Sequence, residues 1–244
     1  MGKLQVNNLD KAFGAKSVLE NVTFSVDEGE FVSLLGPSGS GKSTLFHLIG
    51  GISTPDTGEI YLDGKQINGK SGAISYTPQS PSLLPWRTIL QNVLLGAELH
   101  GEKNEKEAVK MIRRAGLAGY ENAYPHQLSG GMKQRAAFVR SLLSPQSIIC
   151  LDEPFSALDE FTRLEMQQWL LKIWNEHKKS ILFVTHNLEE AIYLSDRIIV
   201  LSTNPATVKK EFNIPFTRPR DERILLSEEF LQWKKVIYQE LKNY

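Results

Sequence analysis

Cysteine is nearly absent from this 244-residue chain, which contains only Cys150. A single cysteine within an apolar run excludes a disulfide framework and a cysteine-ligated zinc cluster, and it fits a reducing cytoplasm. An excess of charge of one sign is also absent, because 28 Lys and Arg balance 28 Asp and Glu. The balanced charge gives no indication of nucleic-acid binding.

Long hydrophobic runs are missing as well. No segment approaches the ~20 apolar residues that a membrane-spanning helix needs. Residues 1–6 contain no apolar signal core and lack the Ser or Thr at position six that myristoylation requires. We therefore expect a soluble chain whose membrane role, if any, runs through another subunit.

A glycine-rich run typical of a phosphate-binding loop is present, with the sequence Gly36-Pro37-Ser38-Gly39-Ser40-Gly41-Lys42-Ser43. An apolar strand-like run at 31–35 precedes it. The apolar positions of the helical pattern that follows are Leu45, Leu48, Ile49 and Ile52. Glycine turns and a helix start present backbone N–H groups to an anion. We expect Lys42 to reach the β- and γ-phosphates of ATP and the Ser43 hydroxyl to hold Mg²⁺, with Thr44 completing the ATP-binding residues.

Two carboxylates, Asp152 and Glu153, follow a second apolar run at 148–151. Such a run is typical of a buried parallel strand, and ligands bind outside the carboxyl ends of these strands. We expect Asp152 to face Mg²⁺ and Glu153 to face the attacking water as general base. An Asp-Glu pair after a strand is also common on protein surfaces, and the phosphate loop is what favours the catalytic interpretation.

A second glycine pair lies in the run Leu128-Ser129-Gly130-Gly131-Met132, before a helical pattern at 132–143. Ser129 is a good N-cap, and the glycines let a phosphate approach exposed N–H groups. In this order, the phosphate loop, this signature run and the acidic strand end resemble the nucleotide-binding subunit of an ABC transporter. The resemblance covers nearly the whole chain. It implies an α/β fold, namely a P-loop NTPase core with an N-terminal antiparallel β subdomain and an inserted α-helical subdomain.

The expected organisation is a single ABC ATPase domain over residues 1–244. Its helical subdomain spans about 86–143, and a C-terminal helical extension spans about 221–244. Antiparallel strands are expected at 3–30 and 58–68, with a hairpin turn at Asp63-Gly64. Ser227 is the expected N-cap of the C-terminal helix. The apolar stripe expected to pack this helix onto the domain is Phe230, Trp233, Ile237 and Leu241.

The resemblance implies further roles by position in the motif order. Gln79 would reach Mg²⁺ and water, and His186 would contact the γ-phosphate and help to place the water. Phe13 would stack on adenine, although a lone Phe in a strand is more often a core residue. The loop expected along a dimer interface is Ser156, Ala157, Leu158 and Asp159. Met132 stands where the family most often has Gln. This difference bears on fine coupling more than on the use of ATP.

The chain has one phosphate loop and one signature run. In the family, each ATP lies between the loop of one copy and the signature of another. The resemblance therefore implies a head-to-tail dimer of two copies with two equal sites. It also implies ATP and Mg²⁺ as cofactors and integral membrane permease subunits as partners. A substrate-binding protein would act indirectly, and the chain would sit peripherally on the cytoplasmic face of the cell membrane.

A finer resemblance lies in Leu83-Leu84-Pro85-Trp86-Arg87-Thr88 and in residues 216–221. These runs are similar to the nitrate, sulfonate and taurine class of bacterial importers. The class implies a small anion such as sulfonate, taurine or nitrate, or a thiamine pyrimidine precursor, as cargo. Trp86 would either contact the permease or pack into the helical region.

Two other interpretations compete with an importer subunit. An ABC ATPase of a non-transport machine, in translation or DNA repair, usually carries two cassettes, long coiled coils or zinc insertions, and the sequence has none of these. A GTPase would need an Asn-Lys-x-Asp run, which is absent. A small-molecule kinase would leave the signature run at 128–132 unexplained.

Overall fold

A computed structural model describes residues 3–101, 104–203 and 205–242. Residues 102–103 of the expected helical subdomain and residues 243–244 of the expected C-terminal extension lie outside the described residues, as do residues 1–2. The strands are β1 Leu4–Phe13, β2 Lys16–Val26, β3 Phe31–Leu35, β4 Thr57–Leu62, β5 Lys65–Gln66, β6 Ser75–Thr77, β7 Ile148–Asp152, β8 Ser180–Thr185, β9 Arg197–Leu201 and β10 Val208–Asn213. The α-helices are α1 Lys42–Ile49, α2 Ile89–Val93, α3 Leu95–Leu99, α4 Glu105–Arg114, α5 Gly130–Leu143, α6 Glu160–His177, α7 Leu188–Leu194 and α8 Glu228–Lys242. In the described part of the chain, no helix has the length and apolar character to cross a membrane.

The smaller sheet is antiparallel and has the strand order β2-β1-β4-β5. Asp63 and Gly64 connect β4 to β5 with φ angles of 50° and 74°, in the left-handed region that a tight hairpin turn requires. The predicted antiparallel strands and their hairpin turn are therefore confirmed.

The larger sheet has the order β10-β9-β3-β8-β7-β6 and is parallel except for the β10–β9 pair. Strands β3, β7 and β8 are buried along their whole length, as the continuous apolar runs predict. Because parallel strands end at the same edge of a sheet, the segments after β3, β6, β7 and β8 lie along one edge. These segments carry the phosphate loop, Gln79, the acidic pair and His186.

The helix after the phosphate loop is shorter than its apolar pattern predicts. It ends at Ile49, and Gly51 then turns the chain with a φ of 68°. Ile52 therefore lies beyond the helix and is 60% exposed, so its prediction as part of the apolar face is wrong. Leu45, Leu48 and Ile49 are fully buried as expected.

Helices α2 to α5 lie between residues 89 and 143. Helices α2, α4 and α5 share an apolar cluster, and α3 contacts α2 and α5 without contributing a buried residue. Together with the two sheets, they confirm the α/β fold with an N-terminal antiparallel sheet and inserted helices. The exact limits of the helical subdomain stay a prediction.

The C-terminal helix α8 begins after Ser227, whose hydroxyl accepts a hydrogen bond from the Phe230 amide at 3.2 Å. Phe230 and Ile237 are buried, and Trp233 and Leu241 pack against the same core. The predicted apolar stripe of this helix therefore serves packing.

Candidate functional site

The phosphate loop is curled around the ammonium group of its own lysine. Lys42 Nζ donates to the carbonyl oxygens of Gly36 and Pro37, each at 2.8 Å. Burial lowers the pKa of Lys42, and the nearby carboxylates Glu153 and Asp152 oppose this shift. The loop is thus curled by its own contacts around a buried cation at its centre.

Gly41 is the position at which this loop requires glycine. Its φ is 74°, and an added Cβ would lie 2.8 Å from Leu19 Cδ2. Both the left-handed backbone and the close approach of β2 exclude a side chain there. Lys42 follows directly as the first residue of α1, so the helix N-terminus points at the loop.

A cavity of about 320 Å³ lies over the loop, and Glu153 forms part of its wall. Its lining comprises Lys16, Val18, Ser38, Gly39, Ser40, Gly41, Lys42, Ser43, Thr44 and Glu153. Lys16 and Val18 were missed by the sequence analysis, because only the pairing of β2 brings them over a loop about twenty residues away. No local signal in the sequence marks them.

Phe13 ends β1 and pairs with Lys16 in the antiparallel register, which places it beside a residue of the cavity wall. The ring is 57% exposed, so the interpretation of Phe13 as a core residue is wrong. Lys11 Nζ lies 5.5 Å from the ring centroid. An exposed ring beside a phosphate loop is available for stacking on a base.

Asp152 is a buried carboxylate at the end of β7. The hydroxyl of Tyr76 donates to Asp152 Oδ2 at 3.3 Å, and both this hydroxyl and the nearby Ser43 favour the ionised form and so lower the pKa of Asp152. Burial is the largest influence and raises the pKa of Asp152. A carboxylate and a hydroxyl, both oxygen donors beside a phosphate cavity, fit Mg²⁺, which takes few protein ligands and keeps the rest for phosphates and water.

Glu153 has an unusual backbone for a non-glycine residue. Its φ is 42°, and its amide donates to the Val184 carbonyl at 2.9 Å. This left-handed turn ends the strand and changes the direction of the Glu153 side chain. Glu153 Oε2 lies 3.0 Å from His186 Nδ1, so the structure brings these two predicted residues together.

Gln79 is tied to the loop at 156–159. Its Nε2 donates to Ser156 Oγ at 3.0 Å, and Ser156 Oγ donates to the Glu153 carbonyl at 2.9 Å. From α5, Gln134 Nε2 donates to the Gln79 carbonyl at 3.2 Å. Gln134 was missed by the sequence analysis, since a polar residue inside a helix carries no signal of this contact.

The signature run is separate from the phosphate-loop cavity of its own chain. Ser129 caps α5, with its hydroxyl accepting a hydrogen bond from the Met132 amide at 3.3 Å. Ser129 and Gly130 are exposed, and an added Cβ at Gly130 would meet open space. Leu128 is buried in the core, and none of residues 128–132 lines the cavity. The phosphate loop and the signature run therefore do not share a cavity within one chain.

The loop at 156–159 exposes Ala157 and Asp159 and buries Leu158. Asp159 is the N-cap of α6, accepting a hydrogen bond from the Thr162 amide at 3.1 Å. The loop is therefore fixed to α6 at one end and to Glu153 and Gln79 at the other.

Trp86 is 71% exposed, so its interpretation as a packed residue of the helical region is wrong. Arg87 is held by an ion pair, because its Nη1 lies 2.6 Å from Glu98 Oε2. The exposed indole ring is thus the feature of this segment that is free for contact with another molecule.

The family model described as "ABC transporter" matches residues 19–156. An uncharacterized ABC transporter ATP-binding protein of Methanocaldococcus jannaschii is 45% identical, over 99% of this chain and 92% of that protein. The aliphatic sulfonates import ATP-binding protein of Bacillus cereus is 39% identical, over 98% of this chain and 96% of that protein. The taurine import ATP-binding protein of Yersinia pestis is 42% identical, over 87% of this chain and 85% of that protein.

Solved structures agree with these relatives. The dimeric structure of a post-hydrolysis state of an ATP-binding cassette bound to ADP and Pi is similar, with a TM-score of 0.75 and 32% identity. The similarity covers 88% of this chain and 100% of that one.

Proposed function

The chain belongs to the ABC transporter ATP-binding family, and on this premise we propose that it energises an importer of a small oxidised anion such as an aliphatic sulfonate or taurine. It is an ATP-binding subunit whose ATPase activity is coupled to transport. The proposal of cargo is supported by the relatives named for sulfonate and taurine import, which align with most of this chain, and by the run at 83–88. Nitrate belongs to the same proposal, and a thiamine pyrimidine precursor is the alternative cargo. No relative described above favours a machine of translation or DNA repair.

The observation that carries the proposed chemistry is the contact between Glu153 and His186 at the rim of the phosphate-loop cavity. Glu153 would accept the proton of the attacking water, and His186 would hold the water and the γ-phosphate in line. Gln79 would complete the water-binding group after leaving Ser156. Ser43, Asp152 and Gln79 would hold Mg²⁺, which when bound neutralises charge developing on the phosphates.

We place ATP between two copies of the chain. The phosphate loop, with Gly36 to Thr44, would bind the phosphates from one copy, and Phe13 would stack on the adenine. Residues 128–132 of the second copy would cover the γ-phosphate, and the two loops at 156–159 would meet along the interface. This arrangement is supported by the separation of the signature run from the cavity in one chain and by the dimeric state of the similar cassette.

Closure of the dimer would move the helical subdomain and switch the permease between its access states. ATP can shift the permease only by its differential affinity for the closed dimer. The proposed location is the cytoplasmic face of the membrane, held there by the permease. The substrate-binding protein would act on the permease and only indirectly on this chain.

The cargo is tested on the complex of this chain with its permease in lipid vesicles. ATP hydrolysis is measured with binding protein loaded in turn with taurine, ethanesulfonate or nitrate. We expect stimulation by one or more of these anions and none by unloaded binding protein. Equal rates with all loaded and unloaded forms would count against an anion importer.

Replacement of Phe13 by Ala should weaken ATP binding by roughly 5- to 150-fold, because base–aromatic stacking contributes about 1–3 kcal/mol. The ring is mostly exposed, so the free energy of unfolding should change little. Titration of the nucleotide-binding affinity of the free subunit checks this, with Phe13→Tyr as the matched control that keeps the ring. An unchanged affinity in Phe13→Ala would remove Phe13 from the adenine site.

Replacement of Trp86 by Ala should weaken association with the permease by roughly 30-fold or more, because exposed aromatic anchors of interfaces contribute about 2 kcal/mol or more. The folded subunit should keep its thermal midpoint, since most of the ring is exposed. Tyr238→Ala, on the exposed side of α8, is the control for loss of a surface aromatic. If both variants bind detergent-solubilised permease as the wild type does, the docking surface lies elsewhere.

A further inference from the structure

Glu190 is a carboxylate buried beneath the loop that carries His186. The residue is 5% exposed, and its Oε2 accepts a hydrogen bond from Thr185 Oγ1 at 2.6 Å. Burial raises the pKa of its carboxyl group, while Thr185 and Arg163 favour the ionised form. A buried carboxylate is unfavourable unless it is hydrogen-bonded and paired. The residues that contact Glu190 therefore indicate its role.

The partner of Glu190 is Arg163, one turn into α6. Arg163 Nη2 donates to the Leu158 carbonyl at 2.8 Å, which ties the guanidinium to the loop at 156–159. Arg163 Nε lies 3.7 Å from Glu190 Oε1 and is buried without a hydrogen-bond partner among the described residues. Because 3.7 Å is too long for a hydrogen bond, the ion pair is only partly formed. A small shift of the loop and the first turn of α6 would close this gap.

The other side of Glu190 leads to the catalytic pair. Thr185 Oγ1 donates to Glu190 and accepts from the Asn187 amide at 2.9 Å, so it fixes the backbone on both sides of His186. The Asn187 side chain accepts from the Glu190 amide at 3.3 Å and anchors the start of α7. A chain of contacts thus runs from the Leu158 carbonyl through Arg163, Glu190 and Thr185 to the residue that touches Glu153.

We propose that Arg163 and Glu190 are positioning residues that couple the position of the loop carrying His186 to the position of the loop at 156–159. Contact of that loop with a second copy completes the Arg163–Glu190 ion pair and holds His186 in the geometry for hydrolysis. The inference rests on the proposed shared site, because it links the surface expected to meet the partner with the residue expected to place the water. Neither side chain lines the phosphate-loop cavity.

The test is Glu190→Gln, which keeps an oxygen acceptor for Thr185 and removes the charge that pairs with Arg163. We expect kcat for ATP hydrolysis by the free subunit to fall at least tenfold, with KM changed less than twofold. The matched control is Glu189→Gln, which removes a neighbouring exposed carboxylate that pairs with Lys234. The control should keep kcat near that of the wild type. A kcat of Glu190→Gln within threefold of the wild type would overturn the proposal.

If the ion pair were merely structural, its loss would lower the free energy of unfolding without a selective loss of kcat. We therefore expect Arg163→Gln and Glu190→Gln to be non-additive in kcat, the double variant being no slower than the slower single one. Additive losses would overturn the proposal. If Glu190→Gln does not fold, Arg163→Lys serves instead. Its ammonium can pair with Glu190 but cannot reach the Leu158 carbonyl at the same time, and it should show the same loss of kcat at unchanged KM.

The position of His186 can be followed without hydrolysis. The chain has five histidines, and ¹³C-histidine labelling with His186→Gln as the assignment variant isolates one ring signal. In a Glu153→Gln background with ATP, we expect a single sharp His186 signal, which broadens or splits when Glu190→Gln is added. An unchanged His186 signal would contradict the proposal that Glu190 positions His186. If Glu153→Gln dimerises and Glu190→Gln is fully active, only this inference fails. A wild-type chain that hydrolyses no ATP would overturn the proposed function as well.

Discussion

Replacement of Glu153 by Gln is expected to slow ATP hydrolysis by about 10²- to 10⁴-fold, because a positioned general base contributes that much to the rate. This corresponds to roughly 3–5 kcal/mol of activation barrier. The amide is nearly the same size as the carboxylate, so the contact with His186 and the backbone turn can persist. It cannot accept the proton of the attacking water. ATP should therefore bind, remain intact and hold two chains together.

Light scattering of the purified Glu153→Gln chain with saturating ATP and Mg²⁺ checks the assembly, and phosphate release checks the rate. The wild type without nucleotide should be mostly monomeric. Glu228→Gln, an exposed carboxylate at the start of α8, is the control for loss of one negative charge. A Glu153→Gln chain that stays monomeric under these conditions would contradict the shared site.

The second large expected effect distinguishes the role of the phosphate loop from that of the signature run. Lys42→Ala should weaken ATP binding by the isolated chain about 30-fold or more, since removing one partner of a buried charge pair costs roughly 2–5 kcal/mol. Ser129→Arg should leave that binding nearly intact, because Ser129 is exposed and does not line the cavity of its own chain. It should nevertheless abolish hydrolysis, since the arginine would block the ATP of the partner.

Mixing the two inactive variants gives the sharper result. In a mixed dimer, one site combines both altered segments, and the other combines an intact loop with an intact signature. Some ATPase activity should return on mixing, while each variant alone stays inactive. The assignment of the signature to the partner's ATP is wrong if Ser129→Arg weakens binding by the monomer as much as Lys42→Ala does.

Sequence patterns predicted those parts of the molecule that depend on neighbouring residues. The apolar runs at 31–35 and 148–151 are buried strands, and Asp63-Gly64 forms the hairpin turn. The prediction that Ile52 belongs to the apolar face of the helix was wrong, because periodicity does not show where a glycine pair ends a helix. The contact between Glu153 and His186 follows from two adjacent parallel strands ending at the same edge. The motif order assigned each residue a role at the nucleotide but did not predict that the two side chains touch.

Contacts between segments that are distant along the chain could not be predicted from the sequence. Lys16 reaches the phosphate cavity only because β2 crosses the loop, and Gln134 meets Gln79 only through helix packing. The same holds for Arg163 and Glu190, whose charges look like those of any solvated helix. A charged residue in a helical pattern gives no sign of burial until the facing element is placed.

The left-handed backbone at Glu153 has a consequence for the evolution of this chain. A non-glycine residue in such a conformation costs on the order of 1–3 kcal/mol, so glycine or asparagine would be the more stable choice at position 153. Selection for thermal stability alone would therefore tend to remove the glutamate. Under the proposed role of Glu153 as general base, its presence marks a trade-off in which folding free energy is given up for activity. Directed evolution that screens only for heat resistance would risk gaining stability at this position and losing the ATPase.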